Sequence, residues 1–164
     1  MNEIEIVATG PDFIRMGVRG FESVLEELIK SAQTEIQVVA YLITPSALPI
    51  LRLLLNASEK GVVVTIIVNN IQELDKEVKK FLLQAQKKLG KLFYIVSFRE
   101  LTGKDIHAKL VVVDRKKALI GSANLSWGGI VGNYEIGVLI KGEYAWQIAK
   151  MIDTLLGKEE KMFK

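Results

Sequence analysis

The sequence predicts an α/β fold, a mixed, largely parallel β-sheet flanked by helices on both faces. Three observations carry this. Two short runs, Ile36–Ile43 and Val62–Val68, are almost wholly apolar and rich in β-branched residues, as strands buried on both faces are. Around them lie segments with apolar residues at three- and four-residue spacing, the pattern of helices with one buried face. Strands and helices alternate with short links, which implies parallel strands joined by covering helices through right-handed crossovers.

Taken in order, Glu3 to Ala8 alternates as a short strand and stops at the breaker pair Gly10-Pro11. Phe21, Val24, Leu25, Leu28, Ile29 and Ala32 form the inner stripe of a first helix. The strand Ile36–Ile43 ends at Thr44-Pro45. Ser46 is placed to cap the next helix, Pro49 falls in its first turn, and Gly61 closes it. After the strand 62–68, a long helix is expected from Ile71 to Leu89, with Lys79, Lys80, Lys87 and Lys88 on a solvated outer face and Gly90 at its end. Leu92 to Phe98 reads as a strand and Arg99 to Asp105 as a polar loop. Ile106–Val113 and Ala118–Ile120, separated by a polar link, read as a β-hairpin. Gly128, Gly129 and Gly132 mark a mobile loop before a last strand, Tyr134–Ile140. A final helix is expected from Glu143 to Leu156, capped by Gly157, with a frayed charged tail over 158–164. No linker or repeat splits the 164 residues, so one domain over 1–164 is expected.

Composition narrows the chemistry mainly by exclusion. Lys and Arg outnumber Asp and Glu by 22 to 19, an excess that permits an anionic substrate without demanding one. There is no cysteine and one histidine, which excludes disulfides and thiolate metal centres and argues against a dedicated zinc or copper site within one chain. No cofactor and no metal are expected. No apolar run approaches the ~18 residues that span a bilayer, and the first ten residues lack the character of a signal peptide. A cytoplasmic protein without a membrane partner is the expectation.

The chemistry concentrates in Ile106–Ser126, IHAKLVVVDRKKALIGSANLS. In a strand, residues i and i+2 share a face, so His107 and Lys109 point together. Desolvating a lysine is costly unless an anion or polar partner meets it, so the pair is expected to face a polar pocket. Asn124, after the Gly121-Ser122 turn, is expected to return to the same end. Glu135 is placed to accept a hydrogen bond from His107 Nδ1, fixing the tautomer and freeing Nε2 for attack.

His107-x-Lys109, four residues, Asp114, six residues, then Gly121-Ser122-x-Asn124 reproduces the HxKx4Dx6GSxN motif of the phospholipase D superfamily, which this chain resembles from about Gly20 onward. Ser126 and Glu135 also fall where that family often has Ser or Thr and an acid. Larger members carry the motif twice. With one copy, the chain is similar to the small single-motif nucleases that dimerise to bring two copies into one active site. The resemblance implies a phospholipase D-like fold and a homodimer with its active site at the interface. It implies a metal-independent phosphodiesterase acting on nucleic acid, as an endonuclease and on DNA rather than RNA. His107 of one chain would form a phosphohistidine while His107 of the second chain serves as acid and then base. Lys109 and Asn124 would stabilise charge on phosphorus oxygens, with help from Ser122. Asp114 and Gly121 would be structural.

Weaker readings stand beside these. Arg115 and Lys116 are candidates for contact with a nucleic-acid backbone, although a polar hairpin tip needs no function. Trp127 is placed to stack on a base, or to serve core or dimer interface. The alternatives in function are a phospholipid phosphodiesterase or transphosphatidylase and a catalytically silent nucleic-acid-binding module.

Overall fold

A computed structural model describes residues 2–163, with side chains through Gly157. Eight strands form one sheet: β1 (Glu3–Thr9), β2 (Arg19–Gly20), β3 (Glu35–Val39), β4 (Val63–Val68), β5 (Phe93–Ser97), β6 (Leu110–Val113), β7 (Lys117–Gly121) and β8 (Glu135–Lys141). Their spatial order is β2-β1-β8-β7-β6-β3-β4-β5. Six α-helices accompany them: α1 (Pro11–Arg15), α2 (Phe21–Ser31), α3 (Leu48–Glu59), α4 (Lys76–Leu89), α5 (Phe98–Thr102) and α6 (Glu143–Phe163).

The expected mixed α/β architecture is present, but the sheet is mostly antiparallel, not largely parallel. The seams β1–β2, β3–β4 and β4–β5 are parallel, whereas β1–β8, β3–β6, β6–β7 and β7–β8 are antiparallel. The reason lies in the connections. A parallel neighbour needs a crossover, and α3 and α4 provide two. From β6 onward no covering helix intervenes: β6 and β7 join through the tight turn at Asp114, and β8 returns beside β7. The chain therefore meanders, and β6 enters antiparallel against β3.

Both faces are covered, as the apolar strands require. Val38, Val64, Ile66, Phe93 and Val111 pack under α2, α3 and α4 with Leu25, Leu28, Leu51, Leu54, Val78 and Leu82. Their neighbours Val39, Ile67, Val96 and Val112 point the other way, against Ala145, Ala149 and Ile152 of α6. The small alanines let α6 lie close to the sheet. Phe21 opens α2 and sets its ring edge against two glycines paired across strands, Gly121 and Gly137. A Cβ at Gly121 would lie 2.7 Å from Phe21 Cζ, and one at Gly137 2.4 Å, so both positions require the bare backbone.

Several local expectations are corrected. β3 stops at Val39; of the residues beyond it, Ile43 makes only an isolated bridge with Leu125. Ser46 does not cap α3. It lies inside the 3-10 turn Pro45–Ala47, and its Oγ accepts from Trp127 N at 2.8 Å. The long helix over 71–89 is broken. Asn70 caps a short turn, Ile71–Glu73, and Asp75 starts α4 by accepting from the amides of Glu77 and Val78. The polar loop contains the short helix α5. The glycine-rich segment forms a π-helical turn, Gly128–Gly132, with Gly129 buried. α6 continues past Gly157, which therefore does not end it. The expected fraying over 158–164 lies outside the described side chains. No helix among the described residues is long and apolar enough to cross a membrane.

Candidate active site

The topology gathers the motif at one edge of the sheet. Because β6 runs antiparallel to β3, the residues before Leu110 emerge where β3 and the parallel β4 end. β7 finishes at the same edge and β8 begins there, with Gly121 opposite Gly137. Ligand sites in such sheets lie beyond the carboxyl ends of the parallel strands. Tyr41, Asn69, His107, Lys109, Ser122, Asn124 and Glu135 all come from segments at this edge. Asp114 and Arg115 occupy the opposite edge, roughly 20 Å away by strand rise from His107.

His107 and Lys109 lie just outside the ladder, which β6 joins only at Leu110. They are held instead by polar clamps. Asn69, 7 % exposed, donates from Nδ2 to Ile106 O at 3.0 Å and accepts from Ile106 N at 2.7 Å. Its own carbonyl accepts from Arg99 N at 2.8 Å. The Arg99 guanidinium then bonds Asp105 at 2.7 Å and Glu73 at 2.6 Å. Arg99 holds the Asp105 carboxyl below its ordinary range against the opposing effect of burial, with the charges of Arg99 and His107 adding to the effect. The residues on both sides of Ile106 are thus fixed before the strand begins.

The His107 ring is exposed and stacks on Tyr41, with centroids 4.5 Å apart and planes 25° from parallel. Lys109 Nζ lies 5.3 Å from the centroid of the same ring and 3.5 Å from His107 O. Among the described residues no carboxylate forms an ion pair with Lys109, so its ammonium is available to an anion. Lys109, Tyr41 and Asn124 border a small cavity of about 30 Å³, and Asn124 Oδ1 is buried without a hydrogen-bond partner among the described residues. Gly129 makes this approach possible: a Cβ there would lie 2.2 Å from Asn124 O. Ser126 Oγ accepts from Gly129 N at 3.0 Å and so anchors the same turn. His107, Lys109 and Asn124 are therefore brought together around Tyr41.

Ser122 and Glu135 form a second cluster at this edge. Ser122 Oγ donates to Glu135 Oε1 at 2.6 Å, and Asn133 Nδ2 donates to Glu135 Oε2 at 3.5 Å. Ser122 also extends the β7–β8 ladder, with its N donating to Ile136 O at 3.1 Å and its Oγ accepting from Ile136 N at 3.2 Å. The expected hydrogen bond from His107 Nδ1 to Glu135 is absent among the described residues. The sheet order explains this: β7 lies between β8 and β6, so Glu135 stands two strand spacings, roughly 9–10 Å, from the His107 segment.

Asp114 sits in the turn between β6 and β7. With φ 54° at Asp114 and 57° at Arg115 the turn is left-handed at two successive residues. The Asp114 carboxylate accepts from the amides of Gln33, Thr34 and Glu35 and from the Thr34 hydroxyl, all at 2.8–3.0 Å. Burial alone would raise its pKa; these donors outweigh burial and hold it below the ordinary range. Arg115 is not a free cation for nucleic acid. It forms a bidentate pair with Asp153 at 2.8 and 3.0 Å and meets Glu35 at 2.5 Å. Lys116 shares this remote turn. Trp127 is 62 % exposed, which removes the core alternative.

Sequence reasoning missed Tyr41 and Asn69. For Asn69 a signal was present: two asparagines directly after an apolar strand, VVVTIIVNN, place amides at the functional edge of the sheet. Tyr41 read as one more strand residue. Among the described residues no group of three acidic or histidine side chains is arranged to hold a metal ion.

The family described as "Cardiolipin synthase, PLD-like domain" matches residues 25–157. The DISARM protein DrmC of Bacillus paralicheniformis is 33 % identical over 143 residues, 87 % of this chain and 58 % of that protein, so the chain spans little more than half of this relative. The 5′-3′ exonuclease PLD3 of Xenopus laevis is 33 % identical over 91 residues, 56 % of this chain and 18 % of its own length. In structure the chain is similar to NucT from Helicobacter pylori, with TM-score 0.69, 18 % identity and coverage of 98 % of this chain and 97 % of the other. It is also similar to Nuc from Salmonella typhimurium, a phospholipase D family member, with TM-score 0.67, 18 % identity and coverage of 98 % and 95 %. These last two likenesses establish the fold, and the matched family establishes membership: the chain belongs to the phospholipase D superfamily.

Proposed function

We propose that this chain is a metal-independent phosphodiesterase that hydrolyses nucleic acid, as an endonuclease preferring DNA, through a phosphohistidine intermediate in an active site shared by two chains. One observation carries the reading: an exposed histidine and an unpaired lysine ammonium flank one aromatic ring at the sheet edge where Asn124 turns in. His107 Nε2 attacks phosphorus, and the bond to the leaving oxygen breaks as that oxygen takes a proton from His107 of the partner subunit. That second imidazole then takes a proton from water, whose oxygen attacks phosphorus and releases the first Nε2. One group cannot be nucleophile and acid in the same step, and the chain has a single histidine. Phosphoryl transfer depends on positioning and on stabilising the equatorial oxygens, which two Lys109 ammonium groups and two Asn124 amides supply. Ser122 and Glu135 complete the site's polar rim.

A phospholipid phosphodiesterase is the second reading, favoured by the exposed Trp127, Val131 and Tyr134 in the connection between β7 and β8. One panel separates the two. Single-stranded DNA, double-stranded DNA, RNA and phosphatidylcholine are incubated with the chain and with His107→Ala, in EDTA, with mass measured by light scattering. The reading expects a dimer that cleaves DNA in EDTA and an inert, folded variant. Turnover of lipid alone, an active monomer, or activity retained in His107→Ala would refute it.

A further inference from the structure

We propose that Tyr41 is a positioning residue of this site, holding the His107 imidazole and the Lys109 ammonium in one arrangement through its ring face; the proposal rests on the phosphodiesterase reading. The ring contacts both groups. His107 and Lys109 precede the ladder, which begins at Leu110; Asn69 clamps the Ile106 backbone and Gly121 N donates to Lys109 O at 3.4 Å, so it is the two side chains, not the backbone, that the ring steadies. Tyr41 is differently anchored. It follows β3, whose last residues are paired on both sides, and Ala40 N donates to Ile67 O at 3.0 Å. Just beyond it, Leu42 O accepts from Leu125 N at 3.1 Å and Thr44 N donates to Leu125 O at 3.0 Å. The tyrosine backbone is thus stapled between the sheet and the residue next to Asn124.

The side chain uses that anchorage. A stack at 4.5 Å and 25° restricts rotation of the imidazole. A cation about 5.3 Å from the centroid lies within the range over which a ring face attracts it. Tyr41 is 44 % exposed, so filling the core does not account for it. It also walls both the small cavity beside Asn124 and a wider cleft of about 370 Å³ reaching to Asn69 and Asn70. A ring in this place sets the direction from which the imidazole meets a phosphorus atom. Misplacement of a reacting group by about 1 Å can cost on the order of a hundredfold.

The test compares the full chain with Tyr41→Leu and Tyr41→Phe. Because His107 is the only histidine, its ring protons give one identifiable set of proton NMR resonances, displaced upfield by the tyrosine ring current. Tyr41→Leu is expected to return these resonances to an unstacked position. It is expected to lower kcat on bis(p-nitrophenyl) phosphate about ten- to a hundredfold, with KM changed less. Tyr41→Phe should match the wild type in both. The proposal is overturned if the Tyr41→Leu resonances stay put, if kcat is unchanged, or if Tyr41→Phe behaves like Tyr41→Leu. If the wild-type chain turns over no phosphodiester, the functional reading fails separately, and the resonances alone then decide whether Tyr41 positions His107.

Discussion

Replacing Asp114 tests whether the motif aspartate is scaffold or chemistry. Its carboxylate satisfies three backbone N–H groups and one hydroxyl at the start of β3. Asp114→Ala removes all four bonds. Most are solvent-facing, so water recovers part of the loss, and about 2 kcal/mol is the expected cost. A further ~1 kcal/mol comes from placing alanine at φ 54°, where its Cβ is strained. A total of about 3 kcal/mol lowers Tm by roughly 6–12 °C for a domain of this size. Asp114→Asn keeps one acceptor and tolerates positive φ, so it should lose about 1 kcal/mol. The sign of the pH dependence follows from the depressed native pKa. Stabilisation is present above the unfolded value, near 3.9, and fades as pH falls through the native value. The gap between wild type and Asp114→Asn should therefore be full at pH 7 and narrow below about pH 4. Thermal unfolding by circular dichroism at pH 7 and pH 3 measures the gap, and phosphodiester turnover at 25 °C measures the chemistry. Turnover lost a hundredfold in a variant with unchanged Tm would refute the scaffold assignment.

Gly137→Ala should destabilise by about 2–4 kcal/mol, because its Cβ would stand 2.4 Å from Phe21 Cζ and 2.5 Å from Ile120 O. Phe21→Leu in the same chain should recover part of that loss, and strict additivity in a urea-unfolding double-mutant cycle would contradict the packing account. Asn69→Leu should cost about 2 kcal/mol and speed hydrogen exchange at the Ile106 amide, with Asn69→Asp milder because it keeps the acceptor for Ile106 N; unchanged exchange in Asn69→Leu would show that the clamp is dispensable. Glu135→Gln and Ser122→Ala should lower turnover to similar extents and non-additively if Glu135 acts through the hydroxyl it holds at 2.6 Å. An inert Glu135→Gln beside a fully active Ser122→Ala would remove Ser122 from that role.

Much of the fold was legible because burial on two faces leaves a plain pattern. VVVTIIV can satisfy neither water nor an amphipathic helix, and it became the paired strand β4. Direction was harder. Apolar runs record that a strand is covered, not which way its neighbour points, and the antiparallel entry of β6 beside β3 depends on long-range pairing. Competing local signals explain two boundaries. Asn70 and Asp75 each accept from amides within three residues, and these caps break a helix that the apolar periodicity of 71–89 carries straight through. Past Val39, Tyr41 and Ile43 continue the apolar run outside the strand, one stacked on His107 and the other buried in the core with an isolated bridge to Leu125.

The candidate site was legible where chemistry and spacing coincide and lost where topology intervenes. His107 and Lys109 are two residues apart in extended chain, so their common direction follows from the sequence alone. Glu135 is different. Its distance from His107 is set by the strand lying between them, and nothing in the spacing of residues 107 and 135 reveals that β7 occupies that place. The edge therefore carries two clusters, one around Tyr41 and one around Ser122. The Glu135 carboxylate is held by Ser122 and Asn133 and, among the described residues, makes no direct bond to the imidazole of its own chain. Any influence on chemistry must pass through Ser122 or reach a histidine on another copy of the chain. The first route operates within one chain; the second requires the two copies of the proposed shared site.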